Sequence, residues 1–292
     1  MKFKSRCKVS EAGLKIAVLT HKPYSYFSTR LLEEASKQGI SCQIVDFKDT
    51  ALVMKRGETS LRALDKDVKV VFSRPKMSLS PLMLYAMFLT KILEEEGLYV
   101  INSFEGYLNT LDKVVTYRNL LLNNLPLPDS IISPSKKRLS EMSPPFFLKP
   151  TYGSRGRGVS LIENVKDLGS TSNHDAWIAQ SYAREGDWDL RILVLGGRVI
   201  AAMKRSSGKP ITNISQGGVG SFFETSEEIE ELSLKASTVL KCSFTGVDIS
   251  IKEDNAFILD VNPQPDFKGV ESLGINVARE LVRYVSLEAG GK

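Results

Sequence analysis

The chain is poor in the residue types that most often announce a metal centre or a covalent catalyst. Among its 292 residues are three cysteines, Cys7, Cys42 and Cys242, far apart and in no C-x-x-C pair, which argues against a disulfide framework and a zinc site. The two histidines, His21 and His174, each stand alone, so neither a Ser/His/Asp triad nor a His-rich metal site has support. His174, within Ser172-Asn173-His174-Asp175, reads as a surface turn. Long apolar runs are missing as well. The run Met77 to Leu89 spans about 13 residues and contains Ser and Pro, short of the roughly 20 needed to cross a bilayer, and reads as a buried helix. Met1 to Gly13 is basic but leads only into Ile16-Ala17-Val18-Leu19, so no signal peptide is expected, and the chain reads as cytoplasmic with no membrane partner. No G-x-G-x-x-G turn and no G-x-x-x-x-G-K-[ST] loop occurs, which disfavours a nicotinamide enzyme and a P-loop NTPase. The net charge of +5 is modest, and its densest run, Ser135-Lys136-Lys137-Arg138, has no interleaved aromatics. It reads as a solvated loop and not as a nucleic-acid surface, while a mild positive balance suits an anionic substrate.

What is present describes a globular protein: 42% hydrophobic and 25% charged residues, enough to bury a large core in two or three lobes. From Leu14 to about Asn102, strands and helices alternate. Strands are expected at Lys15–Thr20, Cys42–Phe47, Val68–Ser73 and Tyr99–Asn102, with helices at Ser28–Gln38 and Pro81–Glu96, each stopped by a glycine, Gly39 and Gly97. Such alternation implies a parallel sheet with helices on its faces, a Rossmann-like α/β lobe without the dinucleotide fingerprint. A helix at Asp112–Asn123 follows. Then comes a β-rich stretch with strands at Phe146–Lys149, Gly158–Glu163, Ala176–Tyr182, Asp189–Leu195 and Arg198–Lys204, where Gly196-Gly197 is a hairpin turn. Helices are expected again at Glu227–Lys241 and Asn276–Val285.

Between those two helices lies the most informative segment, Gly246-Val247-Asp248-Ile249-Ser250-Ile251 followed by Phe257-Ile258-Leu259-Asp260-Val261-Asn262-Pro263. It reads as a β-hairpin with Glu253, Asp254 and Asn255 as a three-residue turn. Val247 then faces Val261, Ile249 faces Leu259, Ile251 faces Phe257 and Asp248 faces Asp260. A one-residue slip would scramble both faces, and Asn262 shares the carboxylate face because i and i+2 on a strand point the same way. Two like charges directly opposite destabilise a strand pair, so a positive partner is required: a divalent ion, of which Mg²⁺ with carboxylates and substrate phosphates is the economical choice, or a nearby Lys or Arg.

A glycine-rich loop joins two strands at Phe147-Leu148-Lys149-Pro150-Thr151-Tyr152-Gly153-Ser154-Arg155-Gly156-Arg157-Gly158. It allows backbone N–H groups to approach phosphate oxygens, with Lys149 adding a charge; a flexible hairpin turn is the plainer reading. Arg191, in Asp189-x-Arg191, and Arg205, after Ala201-Ala202-Met203-Lys204, stand inside strand-like segments. Several cations, a glycine loop and a carboxylate hairpin together suit a nucleotide-phosphate site with Mg²⁺.

The ordered set Asp112-Lys113, LKPTYGSRGRGVSLI, Gln180-Ser181-Tyr182, Asp189-Leu190-Arg191, Ala201 to Arg205, Asn213, Gly217-Gly218, GVDI and LDVNPQPDFKGVE resembles the ATP-grasp superfamily, and within it the RimK-type α-L-glutamate ligases. The resemblance covers nearly the whole chain. It implies an ATP-grasp fold in three lobes: 1–103 Rossmann-like, 104–179 central with the glycine loop, and 180–292 C-terminal with the metal site. Lys113 and Lys149 would contact the nucleotide phosphates, with Gly153, Ser154, Gly156 and Gly158 closing over them. Gln180, Ser181, Tyr182 and Ala183 would form the hinge at the adenine, with Glu185 or Asp189 near the ribose. Arg205 and Asn213 match positions at the γ-phosphate and the second cation, and Asp248, Asp260 and Asn262 match the Mg²⁺ ligands, two ions being implied and Mn²⁺ allowed. Three places depart from the family pattern: Asp260 stands for Glu, Ser181 stands for Glu, and Asn262-Pro263-Gln264-Pro265-Asp266-Phe267 replaces a small-residue loop.

The resemblance implies that the chain would be an ADP-forming carboxylate–amine ligase joining an amino acid, L-glutamate first, to a carboxylate acceptor through an acyl phosphate. Arg191 would hold a substrate carboxylate, since a guanidinium fork matches that group. The acceptor is expected to be a glutamate-tailed coenzyme, a protein tail or a carrier protein, with Arg74 and Tyr24 at strand-to-helix turns of the first lobe on its side of the site; homo-oligomers are compatible. The competing reading is an ATP-binding regulatory protein of the same fold without ligation.

Overall fold

A computed structural model describes residues 13–76, 80–153, 156–170, 176–208, 212 and 217–290. Backbone contacts divide it into two compact units, one holding the residues up to Tyr107 with Cys242–Phe244 and those from Asp266 on, the other Leu108–Lys241 with Thr245–Pro265.

The first unit runs β1 (Lys15–Thr20), α1 (Tyr26–Lys37), β2 (Ser41–Asp46), β3 (Ala51–Lys55), β4 (Glu58–Arg62), β5 (Val70–Arg74), α2 (Pro81–Glu95), β6 (Tyr99–Ile101) and the start of α3 (Phe104–Asn109). β2, β1, β5 and β6 form, in that order, a parallel sheet. Ile16 to Leu19 are wholly buried, as expected of a strand covered on both faces. Helix caps are written locally: the Ser25 and Ser80 hydroxyls accept from the backbone N–H of Ser28 and Met83, and Gly39 and Gly97 follow the last turns at φ 69° and 87°. Ala17, Leu19, Phe47, Val71, Leu89 and Leu93 share one core. The β3–β4 hairpin is a feature that sequence reading missed. Its signal is the pair Arg56-Gly57, both at positive φ, 51° and 81°, between two five-residue strands paired Lys55 to Glu58.

In the second unit follow α4 (Lys113–Leu122), β7 (Ser130–Ser133), α5 (Lys136–Leu139), β8 (Phe146–Pro150), β9 (Ser160–Ile162), β10 (Trp177–Ser181), β11 (Trp188–Leu195), β12 (Arg198–Ser206), β13 (Val219–Phe222), α6 (Glu227–Val239), β14 (Phe244–Lys252) and β15 (Asn255–Asn262). They make two sheets, ordered β7-β10-β8-β9 and β13-β12-β11-β14-β15. Trp177, Phe146, Leu148 and Leu139 form the core under the first of these. The Gly196-Gly197 turn is present, with φ of 55° and 74° between paired Leu195 and Arg198. The basic run at 135–138 is not a loop: Lys136–Leu139 is one helical turn that buries Leu139 and leaves Lys137 and Arg138 exposed.

The chain then returns to the first unit with α7 (Lys268–Glu271) and α8 (Val277–Gly290). Glu271 ties these to α1: its carboxylate accepts from Arg30 Nε at 2.8 Å, from the Tyr26 hydroxyl at 2.7 Å and from the backbone N–H of Ala278 at 3.0 Å. Among the described residues no helix is long and apolar enough to cross a membrane. Together with the parallel first sheet and the two mixed-order sheets after it, this is the mixed α/β architecture expected.

Candidate active site

Every charged side chain expected to act on a nucleotide that lies within the described residues falls in the second unit. Asp248 on β14 pairs directly with Asp260 on β15. The rest of the hairpin corrects the expected register. Its turn has two residues, Glu253 and Asp254, both at positive φ, 50° and 61°, the backbone of a type I′ turn that matches strand twist. The pairing shifts between Asp248 and Ile249, so that Ile249 faces Ile258 and Ile251 faces Ala256, with Leu259 left over as a bulge. One extra residue in β15 offsets the shorter turn and keeps the two carboxylates opposed. At the bulge the Leu259 carbonyl accepts from the buried Tyr117 hydroxyl at 2.7 Å.

The positive partner each carboxylate requires is a protein cation. Arg191 on β11 holds Asp248 with both prongs, Nε to Oδ1 at 2.5 Å and Nη2 to Oδ2 at 2.8 Å. Arg205 Nη2 lies 3.0 Å from Asp248 Oδ1, and Arg205 also forks Asp189, its cross-strand neighbour, with two bonds of 2.7 Å. The Thr212 hydroxyl closes the row on Asp189 Oδ2 at 2.7 Å. All five side chains belong to buried residues, and such charges persist only when paired and hydrogen-bonded. Burial alone pushes the Asp248 carboxyl up, but the Arg191 and Arg205 guanidiniums more than offset it and hold it below the usual carboxylate range. Gly246 makes the row possible: a Cβ there would come within 3.0 Å of Arg191 Cδ and of Pro265 Cβ.

Lys113 begins α4, whose N-cap Asp112 accepts from Val114 N–H at 2.7 Å. Its backbone N–H donates to the Thr151 carbonyl at 3.1 Å, and Nζ reaches Asp260 Oδ2 at 2.6 Å. Lys149 on β8 meets no carboxylate among the described residues. Its Nζ donates to Gln180 Oε1 at 2.5 Å, and burial, with Lys113 and Arg184 nearby, lowers its ammonium to about 8 against the pull of Asp260. Gln180 therefore turns its side chain to Lys149. The next residues offer backbone: Ser181 N–H bonds the Asp129 carbonyl at 2.8 Å, and Glu185 N–H the Ile251 carbonyl at 2.9 Å. Glu185 Oε1 accepts from Glu253 N–H at 2.7 Å, capping the hairpin turn. Asn262 Oδ1 accepts from Gln264 N–H at 2.8 Å. In the glycine loop, Gly156 and Gly158 have φ of 70° and 74°, which favours glycine, and a Cβ on Gly153 would sit 3.3 Å from Pro150 Cγ. Ser154 and Asn213 lie outside the described residues, as does His174.

One residue that sequence reading passed over belongs to this constellation. Arg184 follows Ala183, and its guanidinium carbon lies 4.4 Å from the centroid of Phe147, whose ring stacks on Tyr182 at 5.4 Å and 15°. Its signal was an arginine just past the hinge, indistinguishable in sequence from a solvated one.

Asp248, Asp260 and Asn262 present only hard oxygen donors, the set Mg²⁺ prefers. Asp248 gives three of its roughly four acceptor sites to arginine. Asp260 accepts from Lys113 and from Val261 N–H at 3.1 Å and keeps the remainder. The donor set fits such an ion. Among the described residues no group of three or more His, Cys, Asp or Glu forms a metal cluster.

In the first unit, Arg74 ends β5 with its guanidinium 3.9 Å over Phe27, and Tyr24, between β1 and α1, is 98% exposed.

The chain is similar to proteins of one known family. The RimK-like ATP-grasp domain matches residues 110–285. A probable alpha-L-glutamate ligase of Shewanella halifaxensis is 28% identical over 302 residues, 97% of this chain and 65% of that protein, so the chain spans about two thirds of that relative's length. The glutamate–LysW ligase ArgX of Sulfolobus acidocaldarius is 31% identical over 223 residues, 70% of this chain and 79% of the relative. Among solved structures, the ATP-grasp ligase PsnB complexed with minimal precursor superposes with a TM-score of 0.74 at 18% identity, covering 94% of this chain and 98% of that one. With fold and sequence in agreement, the chain belongs to the RimK-like ATP-grasp family.

Proposed function

We propose that the chain is an ATP- and Mg²⁺-dependent ligase that couples L-glutamate to a carboxylate acceptor. The observation that carries this is the opposition of Asp248 and Asp260 within a site whose cations outnumber its carboxylates. Lys149 and Lys113 would take nucleotide phosphates, and the backbone of 181–183 the adenine edge. Asp248, Asp260 and Asn262 would hold Mg²⁺, which when bound neutralises phosphate charge and orients the terminal phosphoryl group. An acceptor carboxylate oxygen attacks the γ-phosphorus and ADP leaves. The glutamate amine then attacks the acyl carbon of the resulting acyl phosphate, inorganic phosphate leaves with the acceptor oxygen, and the amine sheds a proton. No side chain here forms a covalent intermediate, so rate comes from positioning and charge. Arg205, anchored by Asp189, would offset charge on the transferred group, and Arg191 supports the metal carboxylate Asp248.

Division into lobes 1–103, 104–179 and 180–292 belongs to the same reading, with the sheet ending at Ser181 and the sheet beginning at Trp188 as the two grasping lobes. So do a cytoplasmic location and an acceptor that is a glutamate-tailed coenzyme, a protein tail or a carrier protein. The test is an incubation with ATP, Mg²⁺, glutamate and an acceptor whose carboxylate carries heavy oxygen. ADP release that requires both substrates, a product heavier by one glutamyl residue and heavy oxygen in the released phosphate are expected. Nucleotide binding without turnover across acceptor classes would sink the ligase reading in favour of a regulatory one.

A further inference from the structure

Among the described residues the site has five cations, Lys113, Lys149, Arg184, Arg191 and Arg205, and three carboxylates within ion-pair reach of them, Asp189, Asp248 and Asp260. Once the ion pairs among the described residues are drawn, Lys149 and Arg184 remain uncompensated. Arg184 Nη1 is buried and has no hydrogen-bond partner among the described residues. The acids that act on it most strongly are Asp189 and Asp187. Asp189 has both oxygens on Arg205, and Asp187 makes no ion pair with Arg184. Burial is the first cause that disfavours the charge on either residue, and each repels the other or a neighbouring guanidinium. Phe147 and Lys149 are two apart on β8 and share one side of the strand, so the arginine stacked on Phe147 and the ammonium of Lys149 serve the same side of that sheet.

A buried guanidinium nitrogen without a hydrogen-bond partner is a cost to a free protein. A neutral nucleobase offers at most an acceptor to that N–H, whereas an anion bound at both cations also compensates their two charges. Phe147 occupies the face of the guanidinium, leaving its edge N–H groups as donors, the geometry in which arginine binds phosphate. We propose that Arg184 is a nucleotide-binding residue that contacts the phosphate chain and shares a phosphoanhydride with Lys149. This rests on the ATP site proposed above. The competing role is a stacking plate that only stiffens the hinge.

Calorimetric titration of the full chain with adenosine, Mg·ADP and Mg·ATP separates them, using Arg184→Met, which keeps an apolar side chain over Phe147. ADP and ATP are expected to bind roughly tenfold more weakly or worse, the scale of one charge-assisted hydrogen bond, with adenosine within about twofold of wild type. The nucleotide-free variant is expected to melt no lower than wild type, because it loses an unpaired charge. Parallel loss of adenosine and ATP, unchanged ATP affinity, or a lower melting temperature with unchanged affinities each overturn the role. Arg184→Gln, read the same way, is the second variant if Arg184→Met does not fold. Wild-type protein that binds no nucleotide overturns the ATP site and this inference together. Wild-type binding that is weakened by Lys149→Ala but not by Arg184→Met overturns this inference alone.

Discussion

Asp248 and Asp260 face each other across one strand pair, yet their surroundings differ, and so will their variants. Asp248 is buried between two guanidiniums. Removing it strands both cations, so Asp248→Ala is expected to lower unfolding stability by about 3–5 kcal/mol as well as abolish turnover. The arginine row is the physical reason for that expectation. Asp260 is 35% exposed with Lys113 as its ion-pair partner, and Asp260→Ala is expected to cost only about 0–1 kcal/mol while also abolishing turnover. Urea unfolding midpoints of the two variants beside their ADP release check the pair, and equal stability losses count against the row. Arg191 shows the same limit of legibility. Its type and position were readable, but its partner is Asp248, 57 residues away in sequence.

At the scale of elements, strands and helices of the first unit were legible because period, cap and stop agree: Lys15–Thr20 and Pro81–Glu95 stand within one residue of expectation. The β14–β15 hairpin was half legible. Alternation of apolar and polar residues determined which pairs lie near Asp248, but it carries no information about a residue excluded from the ladder, and so the bulge at Leu259 and the two-residue turn went unread. That turn holds Glu253 and Asp254 at positive φ, where Asn and Gly are at ease. The double change Glu253→Asn, Asp254→Gly is expected to stabilise the protein by roughly 1–2 kcal/mol without altering turnover, measured as a shift in denaturant midpoint at constant slope. A loss of stability would mean that the Glu253 and Asp254 side chains do more there than the backbone requires.

For the whole molecule, stability leans on carboxylates held in their charged form. Glu34, buried on α1, accepts from Lys37 and Arg30, and its pKa falls from 4.5 to about 2, the Lys37 bond being the first cause and burial opposing it. Glu271 and Asp248 are lowered as well. A folded-state pKa below the unfolded one stabilises fully above the unfolded value and is lost as pH falls through the folded one. Through these carboxylates, unfolding free energy is therefore expected to decline as pH falls from about 4.5 towards 2. Glu34→Gln is expected to show a shallower decline across that window, read from urea titrations at several pH values. An identical slope would remove Glu34 from the account.

Local rules suffice for what the sequence by itself determined: alternating elements, helix stops at Gly39 and Gly97, opposed carboxylates at 248 and 260, and a lysine leading into a glycine loop. These depend on side-chain period and backbone freedom within a dozen residues or so, and a chain carries both in its order. The choice of ion-pair partner did not follow. Asp248 meets Arg191 and Arg205 because β14, β11 and β12 lie side by side in one sheet, and Arg184 lies over Phe147 although 37 positions separate their numbers in the chain. Charge attraction acts through space without regard to sequence distance. Only tertiary structure could decide which cations are spent on carboxylates and which, Lys149 and Arg184, meet none among the described residues.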